Sequence, residues 1–236
     1  MELDNLGMND VSISEVSESE ALDASALESE IVDIPGVGAV LVGGHPFDVA
    51  DALDDNQGDN ILNAQGDCGV VSVVNLARMA GVECDENDAI IKAVRLHLCQ
   101  YSTELADEDN GGTNVLGRQA LLAQYGISST VFAGEDLSPE QIARLSEAGH
   151  GVNLGLNAGY EWGDINFIND GSSNHSIVVT GTARDPETHE LLGLFVCDSG
   201  YPGKTSAVFL SVETLEDAYT NAYGSSALVT NKPVCI

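Results

Sequence analysis

The stretch that most constrains the fold is QGDCGVVSVVNLARMAG, residues 65–81. It reads as an apolar helix over 68–80 that Asp67 can cap and Gly81 stops. Polar Gln65, Gly66 and Asp67 precede Cys68, Gly69 follows it, and the apolar run begins only at Val70. A cysteine in this place is a buried small hydrophobe, a redox or metal thiol, or a nucleophile. Unpaired N–H groups and the macrodipole at a helix N-terminus favour negative charge, and Gly69 lets a substrate backbone come close. The nucleophile is the favoured reading.

Further helix signals follow. Asp85 can cap a helix over 86–98, Thr113 and Gly126 bracket a third, and Ser138-Pro139 with Gln141 forms a capping box for a fourth ending near Gly149. Strand-like runs then dominate: GVNLGLN, HSIVVTGTA, LLGLFVCD and AVFLSV, bounded by Gly, Asp and Pro. A late helix from Ser211 to about Tyr223 and a last strand, SALVTN, close the chain. Helices first and strands second point to an α+β domain rather than to alternating βαβ units.

The 236 residues carry 38 acidic and 8 basic side chains, a net charge of −30. Such a surface repels phosphate backbones and anionic lipid, which excludes nucleic acid as an expected partner. No run approaches the roughly 18 apolar residues of a membrane span, so membrane insertion is not expected. Five widely spaced cysteines, with no CxxC pair, do not form a zinc pattern. The nearest pair of ligand types, His97 and Cys99, sits at a helix end, and no metal is expected. DEDNGGTN (107–114) and INDGSS (168–173) read as turns; the first has Arg118 where a calcium loop requires a bidentate Glu.

Residues 1–34 hold ten acidic residues and no basic one. They read as a solvated tail, and the shift at IPGVGAVLVGGHP puts the boundary between 35 and 45. The expected organisation is a leader-like tail over 1–44 and a domain over 45–236. MELDNLGMND lacks the basic and apolar regions of a Sec-type signal, so any export follows another route.

A thiolate nucleophile needs a base. Of five histidines, His175 alone opens an apolar strand, NHSIVVTG, which would hold it rigidly at a site edge. The following strand ends in CDSGYP, placing Asp198 where it can orient the imidazole through its second nitrogen. Trp162, the one tryptophan, walls a groove beside His175 or simply packs, and Asn174 and Gly69 are further substrate-binding candidates.

These residues carry a family resemblance. The segments LDDNQGDNILNAQGDCGVVSVVN, GGTNVLGRQALLAQYGI, NLGLNAGYEWGD, NHSIVVTGTARDPET and FVCDSG, in order over about 45–236, resemble papain-like cysteine peptidases. Within them the chain is similar to the bacteriocin-leader peptidase-like group and to papain-fold domains of exported bacterial toxins and effectors. The resemblance implies a helix-borne Cys68 packed against an antiparallel sheet bearing His175 and Asp198, no cofactor, a protein or peptide substrate, and, for a toxin, an immunity or inhibitor protein. It also implies an oxyanion-hole glutamine six residues before the nucleophile, where this chain has Leu62. Gln65 is the nearest substitute and Gln57 stands further off. Gly43-Gly44 resembles a double-glycine export leader, which makes it a candidate processing site. Side-chain amide hydrolysis, transamidation and a non-catalytic partner-binding module remain open on the same fold.

Overall fold

The computed structural model describes residues 30–53, 55–201 and 206–234. The first element is a hairpin, β1 (Glu30–Ile34) and β2 (Gly38–Gly44). Three helices follow: α1 (Cys68–Met79), α2 (Glu86–Arg95) and α3 (Val115–Ala123). Then come β3 (Ser129–Ala133), α4 (Pro139–Glu147), β4 (His150–Leu156) and a short α5 (Ala158–Trp162). The long β5 (His175–Arg184), β6 (Leu191–Cys197) and β7 (Val208–Ser211) lead into α6 (Val212–Leu215), a π turn over Glu216–Thr220, and β8 (Ser226–Pro233).

The eight strands make one sheet in the order β1-β2-β5-β4-β8-β3, with β6 beside β5 and β7 beside β6. Every paired strand runs antiparallel. β5 is the hub: β4 pairs with 175–179 and β2 with 181–184, while β6 pairs with 178–184. Strand alternation sends its side chains into two cores. On one face Val178 and Leu228 meet Val70, Val74, Ile90 and Leu121 from α1, α2 and α3. On the other, Ile177 and Val179 join Leu154, Val196, Ile142 of α4 and Leu215 of α6. Each such side chain contributes about 1.5–3 kcal/mol by leaving water. The α+β architecture, helices against an antiparallel sheet, agrees with the sequence reading.

α1 is buried along nearly its whole length and tied to the sheet by polar contacts, the Ser176 hydroxyl to Ser72 Oγ at 3.1 Å among them. Ser72 Oγ donates to the Ser176 carbonyl at 2.9 Å, and Asn75 Nδ2 donates to Cys197 Sγ at 3.1 Å. The expected cap from Asp67 is not made. Its carboxylate is instead drawn into the preceding loop, accepting from Gly58 N at 2.9 Å and Asn60 Nδ2 at 3.1 Å. Asp85 does cap α2, through Asp88 N at 2.9 Å. That helix stops at Arg95, and His97 takes a positive φ of 56°. α3 is capped by Asn114, not Thr113, whose hydroxyl lies against Gly69. The Ser138–Gln141 capping box of α4 is present.

Residues 30–44, read from the sequence as part of the tail, form the hairpin and join the sheet. Gly43 pairs with Thr182 and Gly44 with Gly181. Val40 and Val42 alternate inward onto Ala183 and Phe195, which fixes the register. The rest of the expected tail, 1–29, lies outside the described residues. Among the described residues no helix is long and apolar enough to cross a membrane.

Candidate active site

His175 opens β5 and Asp198 directly follows β6. Because His175 precedes Ile177 by two residues and Asp198 follows Val196 by two, alternation turns both to the same face. His175 Nε2 meets Asp198 Oδ1 at 2.5 Å, with the pair almost wholly buried. Asp198 has two further donors: Gly200 N to Oδ1 at 2.9 Å and Trp162 Nε1 to Oδ2 at 2.7 Å. The Trp162 ring stands edge-on to His175, centroids 5.1 Å apart, and to Phe167 at 4.9 Å. Trp162 therefore both packs and walls the histidine. A Cβ at position 200 would come within 3.1 Å of His175 Cε1 and 3.0 Å of the Trp162 ring, so Gly200 leaves these rings their space.

Cys68, half-buried at the first turn of α1, lies within hydrogen-bonding reach of His175. With Nε2 on Asp198, the imidazole has Nδ1 left for the thiol. Burial alone would disfavour the imidazolium. The negative charge of Asp198, followed by that of Cys68, outweighs it and holds His175 well above the usual histidine range. Burial likewise pushes Asp198 up, but the His175 charge and the donors around it bring it below the usual carboxylate range.

Arg118 of α3 was not singled out as part of the site by sequence. It is 5% exposed, its Nη2 donates to Ser226 Oγ at 3.2 Å, and its Nε has no hydrogen-bond partner. Among the described residues no carboxylate pairs with it. Burial lowers its pKa, and the charge on Cys68 opposes that shift. A buried cation thus acts electrostatically on the thiol.

Gln57, in the loop before α1, extends toward Gly200. The Gly200 Cβ position that is 3.1 Å from His175 Cε1 is 3.0 Å from Gln57 Oε1, and Gln57 Nε2 donates to the Gln65 carbonyl at 3.1 Å. Gln65 itself is exposed and contributes its main chain to this contact. Gln57 Oε1 and His175 Cε1 thus both border the space that Gly200 leaves open, whereas the Gln65 side chain is exposed.

Two substrate-binding candidates are otherwise engaged. Gly69 is buried, and a Cβ there would fall 1.9 Å from Thr113 Oγ1, so its missing side chain makes room for Thr113. Asn174 is spent on the fold: its Oδ1 accepts from Ala158 N at 2.9 Å and its Nδ2 donates to the Phe167 carbonyl at 2.8 Å. Gly43-Gly44 is locked in β2, with Gly44 opposite Gly181. Six residues of strand separate Gly181 from His175, roughly 20 Å at the strand rise of about 3.3 Å per residue.

One residue escaped the sequence reading altogether. Glu161, in α5, is 6% exposed, and neither of its carboxyl oxygens has a hydrogen-bond partner. Glu161, His175 and Asp198 each offer a ligand atom, all within 4.8 Å of one another, the one such metal-sized group among the described residues. His175 and Asp198 are already joined in it by their own hydrogen bond. An apolar cavity of about 370 Å³ between α4 and the β3–β8 pair shares no lining residue with this site.

No family model matches the chain, and no curated protein does. Solved structures do. A C39-like peptidase from Bacillus anthracis aligns with a TM-score of 0.52 at 15% identity, covering 77% of this chain and 96% of that one. A double glycine motif protease from an AMS/PCAT transporter, in complex with the leader peptide, aligns with a TM-score of 0.43 at 15% identity, covering 71% and 86%. The fold is that of the papain-like cysteine peptidases.

Proposed function

We propose that the chain is a cysteine peptidase in which Cys68 is the nucleophile, His175 its base and acid, and Asp198 the group that orients His175. The observation that carries this reading is the convergence of three elements: a thiol at the start of α1 in reach of an imidazole whose far nitrogen is held by a buried carboxylate. Asp198, held anionic by its donors, favours the imidazolium, and the imidazolium favours the thiolate. Arg118 adds positive charge on the side of α3.

The thiolate attacks the scissile carbonyl carbon, and the carbonyl π pair moves to oxygen. Gln57 uses one amide proton on Gln65, which leaves the other for that oxyanion beside the Cys68 main-chain N–H. His175 delivers its Nδ1 proton to the departing nitrogen, the C–N bond breaks and a thioester remains. Water then attacks with its proton passing to His175, and the C–S bond breaks to free the acid and the thiol. No cofactor enters these steps.

Peptide bonds are the proposed substrate, and the same steps hydrolyse a side-chain amide. Incubation of the purified chain with a mixed peptide library, read by mass spectrometry, separates them. New chain ends mark a peptidase, and conversion of Gln or Asn to the acid marks an amidase. Either activity disappears in Cys68→Ala; a chain that binds a partner equally well with and without the thiol and turns over nothing is the non-catalytic module.

A further inference from the structure

Glu161 is a buried acid that the steps above do not use. α5, which carries it, is fixed at its N-terminal turn. Asn157 accepts from Tyr160 N at 3.1 Å and donates to the carbonyls of Ile168 and Ser172 at 3.0 and 2.7 Å. Asn174, next to His175, ties Ala158 N to the Phe167 carbonyl. A Cβ at Gly159 would lie 2.2 Å from Ile168 N, so the helix sits directly on the following backbone. The position of Glu161 relative to His175 and Asp198 is therefore set by the fold, not by a mobile side chain on a loop.

Its surroundings decide its charge state. Asp198 receives the His175 ring, the Gly200 N–H and the Trp162 indole, three donors that solvate a carboxylate. Glu161 receives none. Two carboxylates in one dry pocket cannot both be ionised without a large cost, and the proton goes to the group with no donors of its own. Burial first, then the Asp198 charge, pushes Glu161 well above the usual carboxylate range, and its carboxyl group stands within 4.8 Å of the Asp198 carboxylate. The titratable groups that act on Glu161 are Asp198, His175 and Cys68. The acids of the neighbouring α6 and π turn, Glu213, Glu216 and Asp217, are exposed.

We propose that Glu161 is a positioning residue, a neutral carboxylic acid that donates its hydroxyl to Asp198 and fixes that carboxylate against His175. It is the fourth donor to Asp198. It holds the Asp198 carboxylate in one orientation and keeps its basicity low, so that the shared proton stays on His175 Nε2. The inference rests on the peptidase reading for its catalytic consequence, but the protonation of Glu161 does not.

The test compares Glu161→Gln, which keeps a neutral donor, with Glu161→Leu, which removes it. Peptide turnover is expected to stay within about threefold of the parent in Glu161→Gln, with the pH profile of Cys68 alkylation unshifted. In Glu161→Leu, kcat is expected to fall at least about tenfold with KM unchanged, since the lost hydrogen bond is to a charged group. A Gln variant as impaired as Leu, or shifted in its pH profile, would mean that Glu161 works as an anion and would overturn the proposal. Leu and Gln variants both indistinguishable from the parent would overturn it as well. Difference infrared spectroscopy of the parent against Glu161→Gln at neutral pH decides protonation independently of turnover and of whether the Leu variant folds. A protonated-acid carbonyl band lost in the variant supports the proposal, and a carboxylate band in its place refutes it. Absence of turnover in the parent itself counts against the peptidase reading and leaves the infrared result to judge Glu161.

Discussion

Trp162 donates its indole N–H to Asp198 Oδ2 at 2.7 Å while its ring shields His175. One side chain thus both satisfies the buried anion and keeps water from its bond to the histidine. Trp162→Phe keeps most of the apolar cover and deletes the donor. A hydrogen bond to a charged group is worth about 1.5–3 kcal/mol, so kcat is expected to drop roughly ten- to hundredfold with KM changing little. Steady-state kinetics on a peptide substrate checks this, and a loss confined to KM would place Trp162 at the substrate instead.

The two glutamines before α1 make separable predictions. Gln57 has its carboxamide at the space beside Gly200 that His175 also borders, whereas Gln65 supports it through a main-chain carbonyl that any residue supplies. Gln57→Ala is expected to lower kcat by about 10²–10³, the usual cost of an oxyanion donor. Gln65→Ala is expected to stay within a few-fold of the parent. The reverse ranking would return the oxyanion role to Gln65.

Gly69 is predicted to be required for packing. Gly69→Ala forces its Cβ onto Thr113 Oγ1, and overpacking of this kind costs about 1–3 kcal/mol despite the better helix propensity of alanine. Thr113→Ala in the same chain should recover most of the loss in urea unfolding. If the double variant is as unstable as Gly69→Ala alone, the contact with Thr113 is not the reason for the glycine.

Asp67 and Glu86 share buried space under Asn60, which donates to both at 3.1 Å. Burial, then the hydrogen bond and charge of Asp67, pushes the Glu86 carboxyl from 4.5 up to about 8. An acid whose pKa is raised on folding stabilises the folded state below its unfolded value and loses that contribution as pH rises through its folded one. Glu86→Gln, which cannot ionise, should therefore gain on the parent in unfolding free energy between pH about 4.5 and about 8. A constant difference across that window would show that Glu86 titrates normally.

Much of this arrangement is legible in the chain itself. The apolar run after Cys68, the strand opened by His175 and the strand that ends before Asp198 carry strong local patterns, and local patterns survive into the fold. What escaped depends on contacts between distant segments. Gln57 stands eleven positions before Cys68 and comes to the site because the loop folds back, clamped by Asp67 onto Gly58 and Asn60. Asp67 looks like a helix cap in sequence because nothing local reveals that loop. α5 spans five residues, too few for a helical period to show, so Glu161 had no signal beyond its place beside Trp162. β1 and β2 were hidden by acidic neighbours and glycines, and the pairing partner that decides them, β5, lies more than a hundred residues away.

The most direct measurement is brief, limiting alkylation at pH about 6, followed by peptide mapping of every cysteine. A thiol of ordinary pKa, about 8.5, is almost unreactive there. Burial pushes Cys84 up and Cys99 to about 11, and Cys197 is buried, so none of these three should compete. The account predicts one adduct, on Cys68, whose rate collapses in His175→Ala. Slow labelling spread evenly over the accessible thiols, unchanged by loss of His175, would contradict it.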